Sequence, residues 1–125
     1  MPCPAASAFA SSFRPSSAEY VRAIEDFYHP HATMQENGQP PRVGRQALVE
    51  HERKVLAGLK DMRTRRVETC LVDGDGVVIN WVFEMTGQDG ATRLMDELAL
   101  QTWDGDRIAT ERFFYDPAQI RPPRT

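Results

Sequence analysis

Residues 93–117 read RLMDELALQTWDGDRIATERFFYDP, two apolar-rich runs hinged at Asp104-Gly105-Asp106. A turn of that composition between apolar runs is a β-hairpin signal. In the first run the even positions hold Leu94, Leu98 and Leu100, interrupted by Asp96. The odd positions hold Met95, Glu97, Ala99, Gln101 and Trp103. A strand with a single buried face is polar on its other side. Neither face here is cleanly polar, so both are expected to be at least partly covered. The second run carries Ile108, Phe113, Phe114 and Tyr115 and is closed by Asp116-Pro117. Two long strands with carboxylates among their apolar residues predict a sheet wrapped around something.

Upstream, residues 63–72 and 77–86 read as two more strands, joined by Asp73-Gly74-Asp75-Gly76 and followed by Gly87-Gln88-Asp89-Gly90. Such short connections predict an antiparallel meander. In 77–86 the odd positions Val77, Ile79, Trp81, Phe83 and Met85 form the packed face. Before the strands lie two helices. Ser16 with Glu19 is a capping box, Tyr20, Ile24 and Phe27 form an apolar stripe, and Pro30 ends the helix. A short extended segment, 33–36, runs into a loop marked by Asn37-Gly38 and Pro40-Pro41. Residues 45–59 form the second amphipathic helix, with Leu48, Val55, Leu56 and Leu59 inward. Helices first and a sheet afterwards give an α+β fold, with the helices packed on one face of a curved antiparallel sheet. The expected organisation is one domain over 16–117, an N-terminal tail or short helix over 1–15, and a C-terminal tail over 118–125.

Composition narrows the function classes. A chain of 125 residues with 41% hydrophobic and 26% charged residues is one ordinary globular domain. The formal net charge of −3 argues against nucleic acid as a partner. No apolar run reaches the roughly 20 residues of a membrane span. The start, MPCPAASAFASSF, lacks a charged segment before its apolar part, so no cleaved leader is expected. Cys3 and Cys70 make neither a disulfide framework nor a metal spacing, and a reducing cytoplasm is the expected location. His29-Pro30-His31 cannot place both rings on one helical face, and there is no HxxxH, CxxC, phosphate loop or nucleophile elbow. No metal and no cofactor are expected.

The order helix, short strand, helix, four-strand meander resembles the nuclear-transport-factor-2-like superfamily, which includes ketosteroid isomerase, the SnoaL-like polyketide cyclases and limonene epoxide hydrolase. FYHPHATMQENGQPPRVGRQAL at 27–48 is similar to the isomerase pattern of a helix end, Ala-Thr, an acidic residue, Gly-Gln-Pro-Pro and a Gly-Arg helix start. WDGDRIATERFFYDP at 103–117 is similar to the terminal hairpin of SnoaL-like proteins. The resemblance implies a cone-shaped sheet enclosing an apolar pocket, a small apolar ligand, and a homodimer through the sheet's outer face. It implies that Met95, Glu97, Ala99 and Gln101 look inward, and that Leu94, Leu98 and Leu100 face a partner.

The resemblance also supplies candidates. Glu36 falls at or next to the isomerase's carboxylate base, where an apolar pocket would raise its pKa toward neutrality. The loop is slightly shorter than the isomerase pattern, so Asn37 is the alternative occupant, and a solvated glutamate in an Asn-Gly turn is the other reading. Departures are as informative. The isomerase's strand acid matches Ala99, no tyrosine precedes Tyr20, and the hydrolase's aspartate matches Phe113. The known oxyanion donors are therefore missing, and steroid isomerisation and epoxide hydrolysis are not expected. The remaining acid/base candidates are His51, Glu97 and Glu111. His51 is also readable as a helix residue beside Glu50 and Glu52. Glu97, among apolar neighbours, has to be paired, protonated or functional, with Arg93, Arg112 or a histidine as its possible partner. Trp81, Phe83, Met85, Gln101, Phe113 and Tyr115 are expected to line the pocket. The expected function is cofactor-free acid/base chemistry, meaning isomerisation, cyclisation or dehydration of a small apolar carbonyl or polyketide-like compound. The alternative is a non-catalytic binding or dimerisation module.

Overall fold

The computed structural model describes residues 17–120, and of residues 17 and 65–68 the backbone only. Ser16, the expected helix cap, and the short helix expected near 5–13 lie outside the described residues.

Helix α1, Ser17–Phe27, buries the predicted stripe, with Tyr20, Val21 and Ile24 shielded. The chain passes directly into strand β1, Tyr28–Glu36, which is longer than the expected segment. Pro30 lies inside this strand, not just beyond the helix. It sits where the pairing of β1 with the last strand breaks, between Tyr28 and Thr33. Proline offers no N–H to a ladder, so an interrupted stretch is where a strand tolerates it. Beyond it, Ala32 and Met34 alternate inward.

Strand β2, Arg42–Val43, folds back antiparallel on β1, placing Arg42 opposite Met34. Gly44 then starts helix α2, Arg45–Ala57, at φ 93°. Its N–H donates to Ala32 O at 2.8 Å, and its carbonyl accepts from Leu48 N. The helix start is thereby tied to the centre of β1. Leu48, Val49 and Leu56 are the buried face of α2.

The meander follows as β3 (Leu59–Asp73), β4 (Gly76–Gly87), β5 (Thr92–Asp104) and β6 (Arg107–Phe114). Leu59 begins β3 and is not the last inward residue of α2. Gly74, Gly90 and Gly105 take positive φ in the three hairpin turns, where a side chain would be strained. The sheet order is β2-β1-β6-β5-β4-β3. Neighbours from β3 to β6 are antiparallel, as expected, but β1 runs parallel to β6. The sheet is therefore mixed. Three register shifts in β3 and one between β5 and β6 bend it, and with the two helices it makes a strongly curled half-barrel of α+β type.

The core has two parts. Val77, Ile79, Trp81, Ala99, Trp103 and Ile108 fill one end of the concave sheet. Val21, Ile24, Ala32, Met34, Leu48 and Val49 join the helices to β1. Tyr28 and Phe113 pack against both. Pro117–Ile120, which straddles the expected start of the tail at 118, forms a 3₁₀ turn. Gln119 accepts from Asp96 N and donates to Asp96 O, completing β5 where β6 has run out. Cys70 is half-buried on β3, and Cys3 lies outside the described residues. No described helix is long and apolar enough to cross a membrane.

Candidate functional site

Between the helices and the concave face of the sheet lies a cavity of about 170 Å3. The alternation of β5 decides what enters it. Met95, Glu97 and Gln101 line it, while Leu94, Leu98 and Leu100 point away and are exposed. Ala99 shares the inner parity but is packed in the core beside Ile79 and does not reach the cavity. Trp81, Phe83 and Met85 from β4 and Glu111 and Phe113 from β6 complete that wall. Trp81 and Phe83 are stacked, ring centroids 5.7 Å apart. Helix α2 supplies His51, Glu52 and Val55, and β1 supplies Tyr28, Met34 and Glu36.

Glu36 is the last residue of β1, and its direction is set by the turn after it. Asn37 adopts φ 49°, a left-handed conformation asparagine tolerates. It is clamped to β6: its N–H donates to Phe113 O at 2.7 Å, its carbonyl accepts from Arg112 Nε at 3.1 Å, and its Oδ1 accepts from Tyr115 N at 3.0 Å. Glu36, not Asn37, turns inward. Its Oε2 accepts from Arg42 Nη2 at 2.7 Å and its Oε1 from Tyr115 Oη at 3.0 Å. His51 Nε2 lies 4.0 Å from Oε2. Partial burial pushes the Glu36 pKa up, but the hydrogen bonds from Arg42 and Tyr115 and the Arg42 charge outweigh it, leaving the carboxyl below its ordinary value. This corrects the expectation of a base raised toward neutrality: an apolar pocket raises a carboxylate only if no cation answers it. His51 is also lowered, first by burial and then by Arg42, with Glu36 pulling the other way. Tyr115 does not itself line the cavity; burial and the Glu36 contact push its hydroxyl up to about 12.

A second polar group lies deeper. Glu111 is 3% exposed. Its two oxygens accept from Tyr28 Oη and, at 2.6 Å, from Gln101 Nε2. Gln101 Oε1 in turn accepts from Trp103 Nε1 at 3.0 Å. Burial raises the Glu111 pKa to about 7 against the lowering effect of Tyr28 and Gln101. Glu97 is 5% exposed. Neither Arg93 nor Arg112 pairs with it. Arg93 bonds Asp89, and Arg112 bonds Asn37 and covers the Phe114 ring. Among the described residues nothing hydrogen-bonds the Glu97 carboxyl. Burial, then the charges of Glu111, Glu36 and Glu52, raise its pKa to about 8. Near neutral pH Glu97 therefore keeps its proton, while Glu111 is close to half-protonated.

The sequence did not single out Arg42, Glu52 or Tyr28 for the site. Arg42 was signalled by Pro40-Pro41, which reverses the chain and returns it along β1. Glu52 sits beside His51, and its pKa is raised by burial and by Glu36. Tyr28 had no local signal, since Glu111 lies 83 positions away. Among the described residues no group of three or more His, Cys, Asp or Glu could hold a metal ion; His31 N simply donates to His29 Nδ1.

A family model of the SnoaL-like domain matches residues 12–111. The chain belongs to the SnoaL-like domain family. Among curated proteins none matches it. Solved structures with the same fold include TerC co-crystallised with polyporic acid, 20% identical, TM-score 0.73, over 93% of this chain and 94% of that one. A ketosteroid-isomerase-like-fold protein from Catenulispora acidiphila in complex with trimethylamine is 14% identical, TM-score 0.73, over 93% and 84%. An epoxide hydrolase of limonene-hydrolase type from M. tuberculosis is 13% identical, TM-score 0.72, over 93% and 83%. At these identities the likeness is one of fold: the nuclear-transport-factor-2-like cone. Within this SnoaL-like domain, Glu97 stands one inward position before Ala99, where the isomerase's strand acid was matched.

Proposed function

We propose that the cavity carries out cofactor-free acid/base chemistry on a small, largely apolar carbonyl or polyketide-like compound, by isomerisation, cyclisation or dehydration. The observation that carries this reading is Glu97, a buried carboxyl aimed into an apolar cavity, with no hydrogen-bond partner among the described residues and a pKa of about 8. A protonated carboxyl in such a place donates to a carbonyl oxygen and stabilises the charge that develops there. His51, neutral near pH 7, is the base that removes the proton beside the carbonyl. Glu36, ionised and 4.0 Å away, stabilises the positive charge His51 acquires. Glu111, held by Tyr28 and Gln101, is the reserve carboxyl against which Glu97 stays protonated. Trp81, Phe83, Met85 and Phe113 hold the apolar body, and Tyr115 keeps Glu36 in place. That two fold neighbours were crystallised with small molecules supports a small-molecule role for the cavity.

The test is deuterium exchange at the α-carbon of small cyclic ketones in D2O, followed by NMR. Exchange should rise with pH as His51 loses its proton and fall again as Glu97 ionises through about 8. Glu97→Gln and His51→Ala should each slow it by about 10²- to 10⁴-fold, the usual contribution of a positioned acid or base. Binding of ketones without any exchange would replace the enzyme by a binding module of the same fold.

We also infer a homodimer through the outer sheet face. Leu94, Leu98 and Leu100 are 51%, 46% and 44% exposed on β5, and Phe114 is exposed beside them on β6. A contiguous apolar patch on a sheet face marks an interaction surface, and a second copy offers the same patch across a two-fold axis.

A further inference from the structure

Among the described residues four carboxyl groups reach the cavity: Glu36 from β1, Glu52 from α2, Glu97 from β5 and Glu111 from β6. Among the described residues no lysine or arginine side chain lines it. The Arg42 guanidinium is bound to Glu36. Glu111 already takes hydrogen bonds from Tyr28 and Gln101. Glu97 does not; it is 5% exposed, faces the cavity, and is unpartnered among the described residues. The rest of the wall is polarisable and apolar, with the stacked Trp81 and Phe83 rings and Met34, Met62, Met85 and Met95. Aromatic faces attract a desolvated cation, most strongly Trp, and a carboxyl without an internal partner is the natural counter-ion for one. Among the described residues an anion entering the same space would meet four acids and no free cation.

We propose that the cavity binds a lipophilic ammonium centre, its charge against the Glu97 carboxylate and its hydrocarbon against the Trp81 and Phe83 rings. The volume, about 170 Å3, suits a single substituted ring. The inference goes beyond the carbonyl reading and does not depend on proton transfer to a substrate. A carbonyl oxygen uses the protonated form of Glu97 as donor, whereas a cation uses the ionised form and releases its proton. Affinities for the two ligand classes therefore change with pH in opposite directions. The groups acting on Glu97 are Glu111 from β6, Glu36 from β1 and Glu52 from α2, and Glu97 in turn acts on Tyr28 and Tyr115.

Three single-ring probes separate the possibilities: phenyltrimethylammonium, acetophenone and phenylacetate, titrated into the full chain by NMR between pH 6 and 9. Phenyltrimethylammonium has no titrating proton, so its pH dependence reports the protein alone. We expect it to bind at least about tenfold tighter than phenylacetate at pH 9. Below the Glu97 pKa of about 8 its affinity should fall about tenfold per pH unit, one proton leaving per cation bound. Glu97→Gln should weaken it by about tenfold or more and flatten that dependence, while Glu52→Gln should only shift the midpoint. If Glu97→Gln does not fold, the pH dependence of the wild type decides. Ammonium binding that is no tighter than phenylacetate, or flat with pH, overturns the proposal. Acetophenone binding without ammonium binding overturns it while leaving the carbonyl reading intact. Ammonium binding without acetophenone binding upholds it and removes the carbonyl reading.

Discussion

At the scale of single residues, protonation is what distinguishes the acids of this cavity. Glu36 and Glu97 are the same residue type on neighbouring walls, yet one is held below and the other above its ordinary range. The difference lies in Arg42 and Tyr115, which answer Glu36 and leave Glu97 alone. In the unfolded chain Glu97 ionises near 4.5, while in the folded chain it keeps its proton up to about 8. Between those values the folded state binds the extra proton. The contribution to stability is complete below the lower value and lost as pH rises through the upper one, at a rate of at most roughly 1.4 kcal/mol per pH unit. Glu97→Gln removes this dependence. Its urea midpoint relative to wild type should therefore improve from pH 5 to pH 9, and an unchanged difference would show that Glu97 is not held protonated.

At the scale of elements, α2 begins at a position that only glycine occupies without strain. Gly44 has φ 93° and ψ 136°, and a Cβ there would meet nothing within 4 Å. The cost of Gly44→Ala is thus conformational, about 1–3 kcal/mol, and it loosens the helix start that the Ala32 contact anchors. Gly58, at the other end of α2, has φ −79° and only ordinary contacts for an added methyl, at 3.5 and 3.7 Å. Gly58→Ala should change stability by less than about 0.5 kcal/mol, as at an unstrained surface site. Equal losses in chemical denaturation would mean that the backbone at Gly44 is not what sets the helix start.

At the scale of the whole molecule, the curled sheet has two apolar faces with different fates. The concave one is covered by α1 and α2, and the convex one carries Leu94, Leu98, Leu100 and Phe114 into solvent. If a second copy covers it, light scattering on the wild type should give twice the mass of a 14.2 kDa chain. Leu98→Asp should then give the single-chain mass with its circular dichroism retained, because the side chain is 46% exposed and belongs to neither core cluster. A wild-type protein that elutes as a monomer at millimolar concentration would remove the dimer.

The sequence by itself determined the alternation of the strands, the positions of the hairpin turns and the stripe of α1. These are local properties: a period of two, Asp-Gly and Gly dipeptides, and a period of 3.6 are written into adjacent residues. It also made Glu97 conspicuous, as a carboxyl embedded among apolar neighbours. Which side of β5 faces inward was implied only by the family resemblance, since neither of its faces is cleanly polar. Only the tertiary structure decided that β1 lies parallel to β6, that Arg42 returns to Glu36, and that Tyr28 reaches Glu111. Each of these joins segments through the closure of the sheet. Protonation states followed the same division. A pKa is set by burial and by charges within a few ångströms, and those neighbours come from four different elements that only the fold brings together.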